Sequence, residues 1–181
     1  MKYIALILLA WFSNQQAGHD IYVCKNAKIN FFSEAPLEDI KAESSKGTSV
    51  FNATSGDLAF SVPMRSFQFE KSLMQEHFNE NYMESERYPN ASFKGKLQEK
   101  VDVKKDGTYP VNVTGVLDVH GVKQNRTIKG SITVANGNVS MTSGFLVQCK
   151  DHRIEIPQLV FKKIAESIQI KVAASYTPYK K

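Results

Sequence analysis

Hydrophobic and polar residues alternate along most of the chain, as they do in β-strands that bury one face. The longest row runs from Tyr109 to Val119 and carries apolar or aromatic side chains except at Gly115. Three further rows contain Ile128, Gly130, Ile132 and Val134; then Val139, Met141, Ser143, Phe145 and Val147; then Ile168, Ile170, Val172 and Ala174. Shorter rows contain Ile29 and Phe31; Leu58, Phe60 and Val62; Phe67 and Phe69; and Phe93 and Leu97. The pattern predicts roughly eight or more strands.

Turn dipeptides separate several of these rows. Asp106–Gly107 and Asn136–Gly137 tolerate the positive φ angles of tight hairpins, and His120–Gly121 ends the longest row. Strands joined by such turns are antiparallel. Because a large antiparallel sheet curls, splits or closes, we expect a mainly β fold that is either a closed barrel or a sandwich.

One segment has helical rather than strand spacing. Ser72 and Gln75 fit the S-x-x-Q capping box that begins many helices. The side chains that then recur near one helical face are Leu73, Met74, His77, Phe78 and Tyr82. Since the residue before a proline avoids the helical conformation, Tyr88–Pro89 ends the segment. The pattern predicts one inserted α-helix over about residues 73–86, which covers the mouth or an edge of the sheet.

The first residues are typical of a secretory signal peptide. Lys2 precedes an apolar run over residues 3–12 that is too short to span a membrane, and small and polar residues follow. We expect a signal peptide over residues 1–18, cleavage near Ala17–Gly18, and a periplasmic or secreted protein. The alternative is a buried core helix or an uncleaved anchor. The composition, 42% hydrophobic and 23% charged in 181 residues, fits one globular domain over residues 19–181.

The charge of the chain is mild. The sequence has 23 Lys and Arg and 18 Asp and Glu, a net charge of +5. Basic residues occur at most in pairs, such as Lys104–Lys105, so the sequence does not indicate a nucleic-acid partner. A transient contact with an anionic membrane surface is compatible with this charge.

The sequence offers little for catalysis. It contains no G-x-S-x-G, H-E-x-x-H, P-loop or G-x-G-x-x-G motif, so we expect a protein without enzymatic activity. His77 and Glu80 form a His-x-x-Glu pair, but two ligands do not make a zinc site, and no metal is predicted. Cys24 and Cys149 could form a disulfide in an oxidising compartment, or remain two free thiols that pack as small hydrophobic groups.

Small residues interrupt the apolar rows. Gly115, Gly130 and Ser143 would leave apolar space beside larger neighbours in the interior. These neighbours are Leu117, Ile132, Met141 and Phe145. Unfilled apolar volume is destabilising by about 24 cal/mol per Å³, a cost that an apolar ligand would offset. Alternatively, the glycines mark bends at the corners of a barrel.

Two motifs resemble those of a known family. Residues 77–93 (HFNENYMESERYPNASF) carry a His before an apolar residue, then Tyr-Pro and a Phe, and residues 115–122 (GVLDVHGV) form a strand ending in His-Gly-Val. Over about residues 27–174 the chain resembles the YceI-like, or polyisoprenoid-binding, family. The resemblance implies an antiparallel eight-stranded lipocalin-like barrel whose apolar tunnel holds an isoprenoid or another long-chain lipid, without catalysis. The alternative is an exported structural or interaction barrel with a filled core.

Candidate ligand-binding residues come from the rows and from the helix. They are Phe60, His77, Phe78, Tyr82, Leu117, His120, Ile132, Met141, Phe145 and Ile170. His77 and His120 are candidates for contact with a polar head group; alternatively, His77 bonds a loop carbonyl and His120 stabilises a turn. Arg65 and Arg87 could neutralise a phosphate, or be solvated surface charges. We expect no cofactor apart from a bound amphiphilic lipid.

Overall fold

The computed structural model describes residues 21–34, 39–156 and 165–179. Within these ranges the chain forms nine strands: β1 (Ile21–Ser33), β2 (Ile40–Asn52), β3 (Asp57–Pro63), β4 (Gln68–Phe69), β5 (Asn90–Leu97), β6 (Gly107–Val119), β7 (Val122–Ala135), β8 (Asn138–Gln148) and β9 (Ser167–Pro178). The helical segments there are a 3₁₀-helix (Met64–Ser66), α1 (Ser72–His77), a π-helical segment (Phe78–Tyr82) and a second 3₁₀-helix (Cys149–His152). The predicted signal peptide, residues 1–18, lies outside the described residues.

Eight of the strands close into a barrel, in the order β1, β9, β8, β7, β6, β5, β3, β2 and back to β1. All neighbouring strands are antiparallel. The two-residue β4 pairs with β2 outside this ring. Because every strand of the ring has a neighbour on both sides, the ring has no edge strand. The predicted antiparallel eight-stranded barrel is confirmed, and the sandwich alternative is wrong.

The alternating rows face the interior of the barrel. In β6, Val111 and Val113 are buried, whereas Thr114 and Val116 are exposed. Irregular pairing of β1 with β2 on either side of Ala27 interrupts this alternation. Such bulges bend a strand and change which residues face inward.

Two of the three predicted hairpin turns form. Asn136–Gly137 joins β7 to β8 and His120–Gly121 joins β6 to β7, with φ angles of 51°, 77°, 54° and 70°. Positive φ at both central residues is what a type I′ hairpin turn requires. Asp106–Gly107 is not such a turn. Gly107 begins β6, and the Asp106 carboxylate accepts a hydrogen bond from the Asn136 backbone N–H at 3.2 Å.

The inserted helix is shorter than the predicted span of residues 73–86. α1 continues as the π-helical segment, and Glu84, with φ of 42°, follows it in the left-handed conformation. A non-glycine residue in that conformation ends a helix, so the segment stops before it reaches Tyr88–Pro89. Asn79 Nδ2 donates to the Gln75 carbonyl at 2.8 Å, which supports the junction between the two helical types.

The predicted capping box does not form. Lys71, rather than Ser72, is the residue that precedes the first helical turn, and no side chain caps it. Gln75 Oε1 instead accepts a hydrogen bond from the Phe69 backbone N–H at 3.3 Å. This bond ties the helix to β4 and holds it at the end of the barrel.

Packed aromatic side chains close the opposite end of the barrel. The rings of Tyr22 and Phe51 lie 6.3 Å apart, and those of Phe51 and Tyr176 lie 6.4 Å apart. Ser49 Oγ donates to the Ala59 carbonyl at 2.9 Å, so the Tyr176 hydroxyl donates to Ser49 Oγ at 2.7 Å. Burial raises the pKa of Tyr176 to about 12, which keeps this donor protonated.

Gly115 lies where β5 and β6 approach each other closely, opposite Gly95. A Cβ atom on Gly115 would overlap the Lys94 carbonyl oxygen and the Gly95 Cα atom. Both are backbone atoms, which move only if the strand moves. A glycine pair of this kind lets the wall of a barrel bend.

We expect Gly115→Ala to lower the free energy of unfolding by about 1–3 kcal/mol, because the added methyl group forces the two strands apart. Gly144→Ala is the matched control: the nearest atom to its added Cβ is the Ile170 carbonyl oxygen, at 3.9 Å. The control should change stability by no more than about 0.5 kcal/mol. Urea denaturation measures both, and equal stabilities of the two variants would contradict the close approach at Gly115.

Candidate functional site

The barrel encloses a cavity of about 540 Å³. It extends from Ala174 and Tyr176, near the closed end, to Leu73 and His77 on α1. This volume lies in the range of about 300–1,000 Å³ that is typical of small-molecule sites. Most of the lining is apolar, and the described lining residues include no Asp or Glu. An apolar cavity of this kind favours an apolar molecule over water.

Small residues in two neighbouring strands contribute to this space. Gly130 on β7 pairs with Ser143 on β8, and both line the cavity. The space predicted beside these two residues is therefore present. Gly115 is not among the lining residues and marks a bend in the wall instead.

An aromatic cluster stands between the cavity and the helix. The Phe78 ring lies 4.9 Å from Phe69, 5.7 Å from Phe67 and 5.8 Å from Phe31, measured between centroids. All four side chains line the cavity. Phe78 is the first residue of the π-helical segment, and its ring is the one that contacts each of the other three.

Polar side chains line the cavity at the helical end. Lys71 and His77 are exposed there, and Tyr82 is partly buried. Partial burial raises the pKa of Tyr82, so its phenol remains neutral at ordinary pH. The lining is therefore mainly apolar, with polar residues at the helix and a second polar group on β7 and β8, an arrangement that suits an amphiphilic molecule. The second group is Lys129, Ser131, Thr142 and Ser143.

The sequence pattern of the YceI-like domain matches residues 25–176. The chain belongs to the YceI-like family. This confirms the resemblance found in the two sequence motifs. No curated protein matches the sequence.

Several solved structures are similar to this YceI-like protein. A polyisoprenoid-binding domain from Saccharophagus degradans, implicated in plant cell wall breakdown, aligns with a TM-score of 0.76 at 15% identity, over 87% of this chain and 98% of that one. BcnA from Burkholderia cenocepacia aligns with a TM-score of 0.71 at 14% identity, over 83% and 96%. A YceI protein from Campylobacter jejuni aligns with a TM-score of 0.63 at 17% identity, over 82% and 90%. At these identities the similarity shows a shared fold.

Nine of the ten candidate ligand-binding residues line the cavity of the YceI-like barrel. They are Phe60, His77, Phe78, Tyr82, Leu117, Ile132, Met141, Phe145 and Ile170. The tenth candidate, His120, lies outside the lining. Both histidines are at the helical end of the barrel, but only His77 reaches the cavity.

His120 is held by structural contacts. Its Nε2 lies 2.8 Å from Glu84 Oε2, its Nδ1 lies 3.1 Å from the His152 carbonyl, and the Tyr88 ring packs at 4.5 Å. Both hydrogen-bond partners are acceptors, so both bonds form together when the ring carries two protons. These contacts join the end of the helical insertion to the β6–β7 turn, and they fit the turn-stabilising alternative.

Several residues that line the cavity at the helical end were not among the candidates predicted from the sequence. Phe31, Phe67 and Phe69 were placed in rows but not in the site, and Met64 and Met83 were not singled out. Short rows of alternating aromatic residues gave the only signal. The non-local packing that brings them together around Phe78 has no counterpart in the local pattern.

Of the two alternatives for the cysteines, the structure has the free thiols, and both are buried. Cys24 pairs with Ser49 at one end of β1. The Cys149 backbone N–H donates to Glu166 at the other end of the barrel, near Ser33. Nine positions separate Cys24 from Ser33, or about 30 Å along a strand, whereas a disulfide needs Cα atoms within about 7 Å.

No metal site is evident in the part of the chain that the structure describes. There, no three His, Cys, Asp or Glu side chains are grouped as a metal ion would require. Within residues 21–34, 39–156 and 165–179, no helix combines the length and apolar character needed to cross a membrane.

We expect both thiols of the native protein to resist alkylation by iodoacetamide at pH 8. Burial, together with the negative charge of Glu166, raises the pKa of Cys149 to about 11, so its reactive thiolate is scarce. In denaturant without reductant, both thiols should react, as counted by mass spectrometry. A denatured protein that gains no label until a reductant is added would instead contain the disulfide.

Proposed function

We propose that this YceI-like protein is a non-catalytic carrier that holds an isoprenoid or another long-chain lipid in its barrel, in the periplasm or outside the cell. The observation that carries the proposal is the cavity of about 540 Å³, which is lined mainly by apolar side chains and has the polar residues Lys71, His77 and Tyr82 at its helical end. The alternative, a barrel filled by its own side chains, does not account for this space. The polyisoprenoid-binding domain from Saccharophagus degradans, which has the same fold, supports the choice of ligand class.

Burial of the lipid chain would supply most of the binding free energy. Each CH₂ group moved from water to an apolar environment contributes about 0.8 kcal/mol. The same term offsets the cost of an empty apolar cavity, so binding also stabilises the folded barrel. The polar head group would stay near Lys71, His77 and Tyr82 or another polar part of the wall.

A carrier role needs no reaction at the ligand. The described lining residues include no carboxylate that could act with His77 as an acid–base pair. The exported location rests on the N-terminal sequence, residues 1–18. The net charge of +5 would favour brief contact with an anionic membrane, where a lipid is collected or released.

We expect organic extracts of the purified protein to contain a long-chain lipid, and Leu117→Arg to abolish it. Leu117 lines the cavity, so the variant places a charge inside the apolar space. Met141→Arg should act in the same way. Val116→Arg is the matched control, because Val116 is 36% exposed and points away from the cavity. Mass spectrometry detects the lipid, and circular dichroism checks that each variant folds. A folded Leu117→Arg protein with unchanged lipid content would contradict the proposal.

We also expect affinity to rise with the length of the chain. With lipid-stripped protein and neutral linear alcohols from octanol upwards, each added CH₂ should lower Kd about fourfold until the cavity is filled. Competition with a fluorescent fatty acid measures the series. Affinity that does not change with chain length would place binding outside the cavity.

A further inference from the structure

The wall of the barrel has a slit between β7 and β8. These strands pair from Ala135–Asn138 only as far as Gly130–Ser143. β7 nevertheless remains paired with β6 as far as Val122, and β8 with β9 as far as Gln148. Residues 122–129 and 144–148 therefore have a neighbouring strand on one side only. The slit begins at the small residues of the cavity wall and opens toward the helical end.

Side chains, rather than backbone pairs, bridge this slit. Arg126 Nη2 donates to the Leu146 carbonyl at 2.9 Å, and Gln124 Nε2 donates to the Asp151 carbonyl at 2.7 Å. At the lower end, Ser143 Oγ donates to the Lys129 carbonyl at 2.7 Å. The slit is thus polar and carries a permanent positive charge at Arg126.

Arg126 belongs to the inward-facing row of β7. It lies opposite Gly115, which belongs to the inner row of β6, and opposed residues share a face of the sheet. Arg126 is half-buried, between the exposed residues Asn125 and Thr127. Two positions further along the same row, about 7 Å away, Ile128 lines the cavity. Gly115 presents no side chain to compete for the space beside Arg126.

The charge of Arg126 is uncompensated. No described Asp or Glu side chain forms an ion pair with it. Arg65 and Arg87, the arginines considered earlier as phosphate ligands, instead lie 3.0 Å from Glu86 and 4.0 Å from Glu84. A guanidinium has five N–H donors, and the bond to Leu146 uses one of them. The free donors match a carboxylate or phosphate group.

We propose that Arg126, in the slit between β7 and β8, binds the oxyanion head group of an amphiphile whose chain lies in the cavity. This inference rests on the proposed function and adds the class and position of the head group. The chain lies along Ile128 and Phe145, and the head group leaves the interior sideways through the slit. The carboxylate of a fatty acid and the phosphate of a phosphorylated lipid share the required chemistry.

The test uses three ligands with the same twelve-carbon chain: dodecanol, dodecanoate and dodecyl phosphate. Lipid-stripped wild-type protein should bind at least one anion about tenfold to a hundredfold more tightly than dodecanol, as expected for hydrogen bonds to a charged group. Arg126→Gln should lose this advantage and keep its affinity for dodecanol. Arg126→Lys retains the positive charge but not the planar guanidinium group, and it should keep part of the preference for anions over dodecanol. The dodecanoate and dodecyl phosphate arms distinguish a fatty acid from a phosphorylated lipid.

Two control variants locate the head group. Lys123→Gln removes an exposed charge from the same strand and should leave all three affinities unchanged. Lys71→Gln removes the charge at the helical end of the cavity. If Lys71→Gln loses the preference for anions and Arg126→Gln keeps it, the head group binds at the helix and the inference is wrong.

Spectra of the wild-type protein provide a readout that does not depend on the folding of a variant. The sequence has four arginines: Arg65, Arg87, Arg126 and Arg153. In ¹⁵N-arginine-labelled protein, the Arg126 Nε signal, assigned from its loss in Arg126→Lys, should shift with the anions and not with dodecanol. Binding of dodecanol without any preference for anions, or without the Arg126 shift, refutes the inference and leaves the carrier function intact. Failure of all three ligands to bind refutes both.

Discussion

Closure of the hydrogen-bonded ring is the constraint on which this structure depends. A strand at the edge of a sheet must present backbone N–H and C=O groups to a partner or to water. With eight strands joined in a ring, backbone groups pair within the wall except along the slit between β7 and β8, and the inner face is free to be apolar. That freedom permits a cavity lined by side chains such as Leu117 and Ile132.

The ring also sets how much of the interior its own side chains fill. A barrel of eight strands is wide enough to be packed solid or to hold one small ligand, so the side chains decide between these outcomes. At the closed end, the large rings of Phe51 and Tyr176 fill the bore. Closer to the helical end, small residues at Gly130 and Ser143 leave the interior of the barrel unfilled. The Phe78 cluster then covers the open part, because the inserted helical segment carries that ring into the mouth.

Features that depend on local periodicity could be predicted from the sequence. The inner rows of β6 to β9 follow a repeat of two residues, so their inward faces were predicted correctly, and nine candidate residues line the cavity. The hairpins at Asn136–Gly137 and His120–Gly121 depend only on positive φ angles at neighbouring residues. Features that depend on contacts between distant parts of the chain could not be predicted from the local sequence pattern. The helix ends early at Glu84, which binds His120, and Asp106 bonds a turn that lies 30 residues away.

In the candidate site, too, some features follow from local periodicity and others depend on distant contacts. Its apolar lining follows from the rows, but the slit does not, because a strand pattern gives no information on where two strands stop pairing. Arg126 looks like an ordinary surface charge in the sequence, and only its register opposite Gly115 places it on the inner face. The choice between a disulfide and two free thiols stayed open for a similar reason, since the sequence does not state that Cys24 and Cys149 lie at opposite ends of the barrel.

The aromatic rings of Tyr22, Phe51 and Tyr176 close one end of the barrel. The mouth beside the helix and the slit between β7 and β8 both lie toward the other end. A bound chain would therefore enter and leave from one side of the molecule, so a donor and an acceptor of the ligand would have to use the same region in turn.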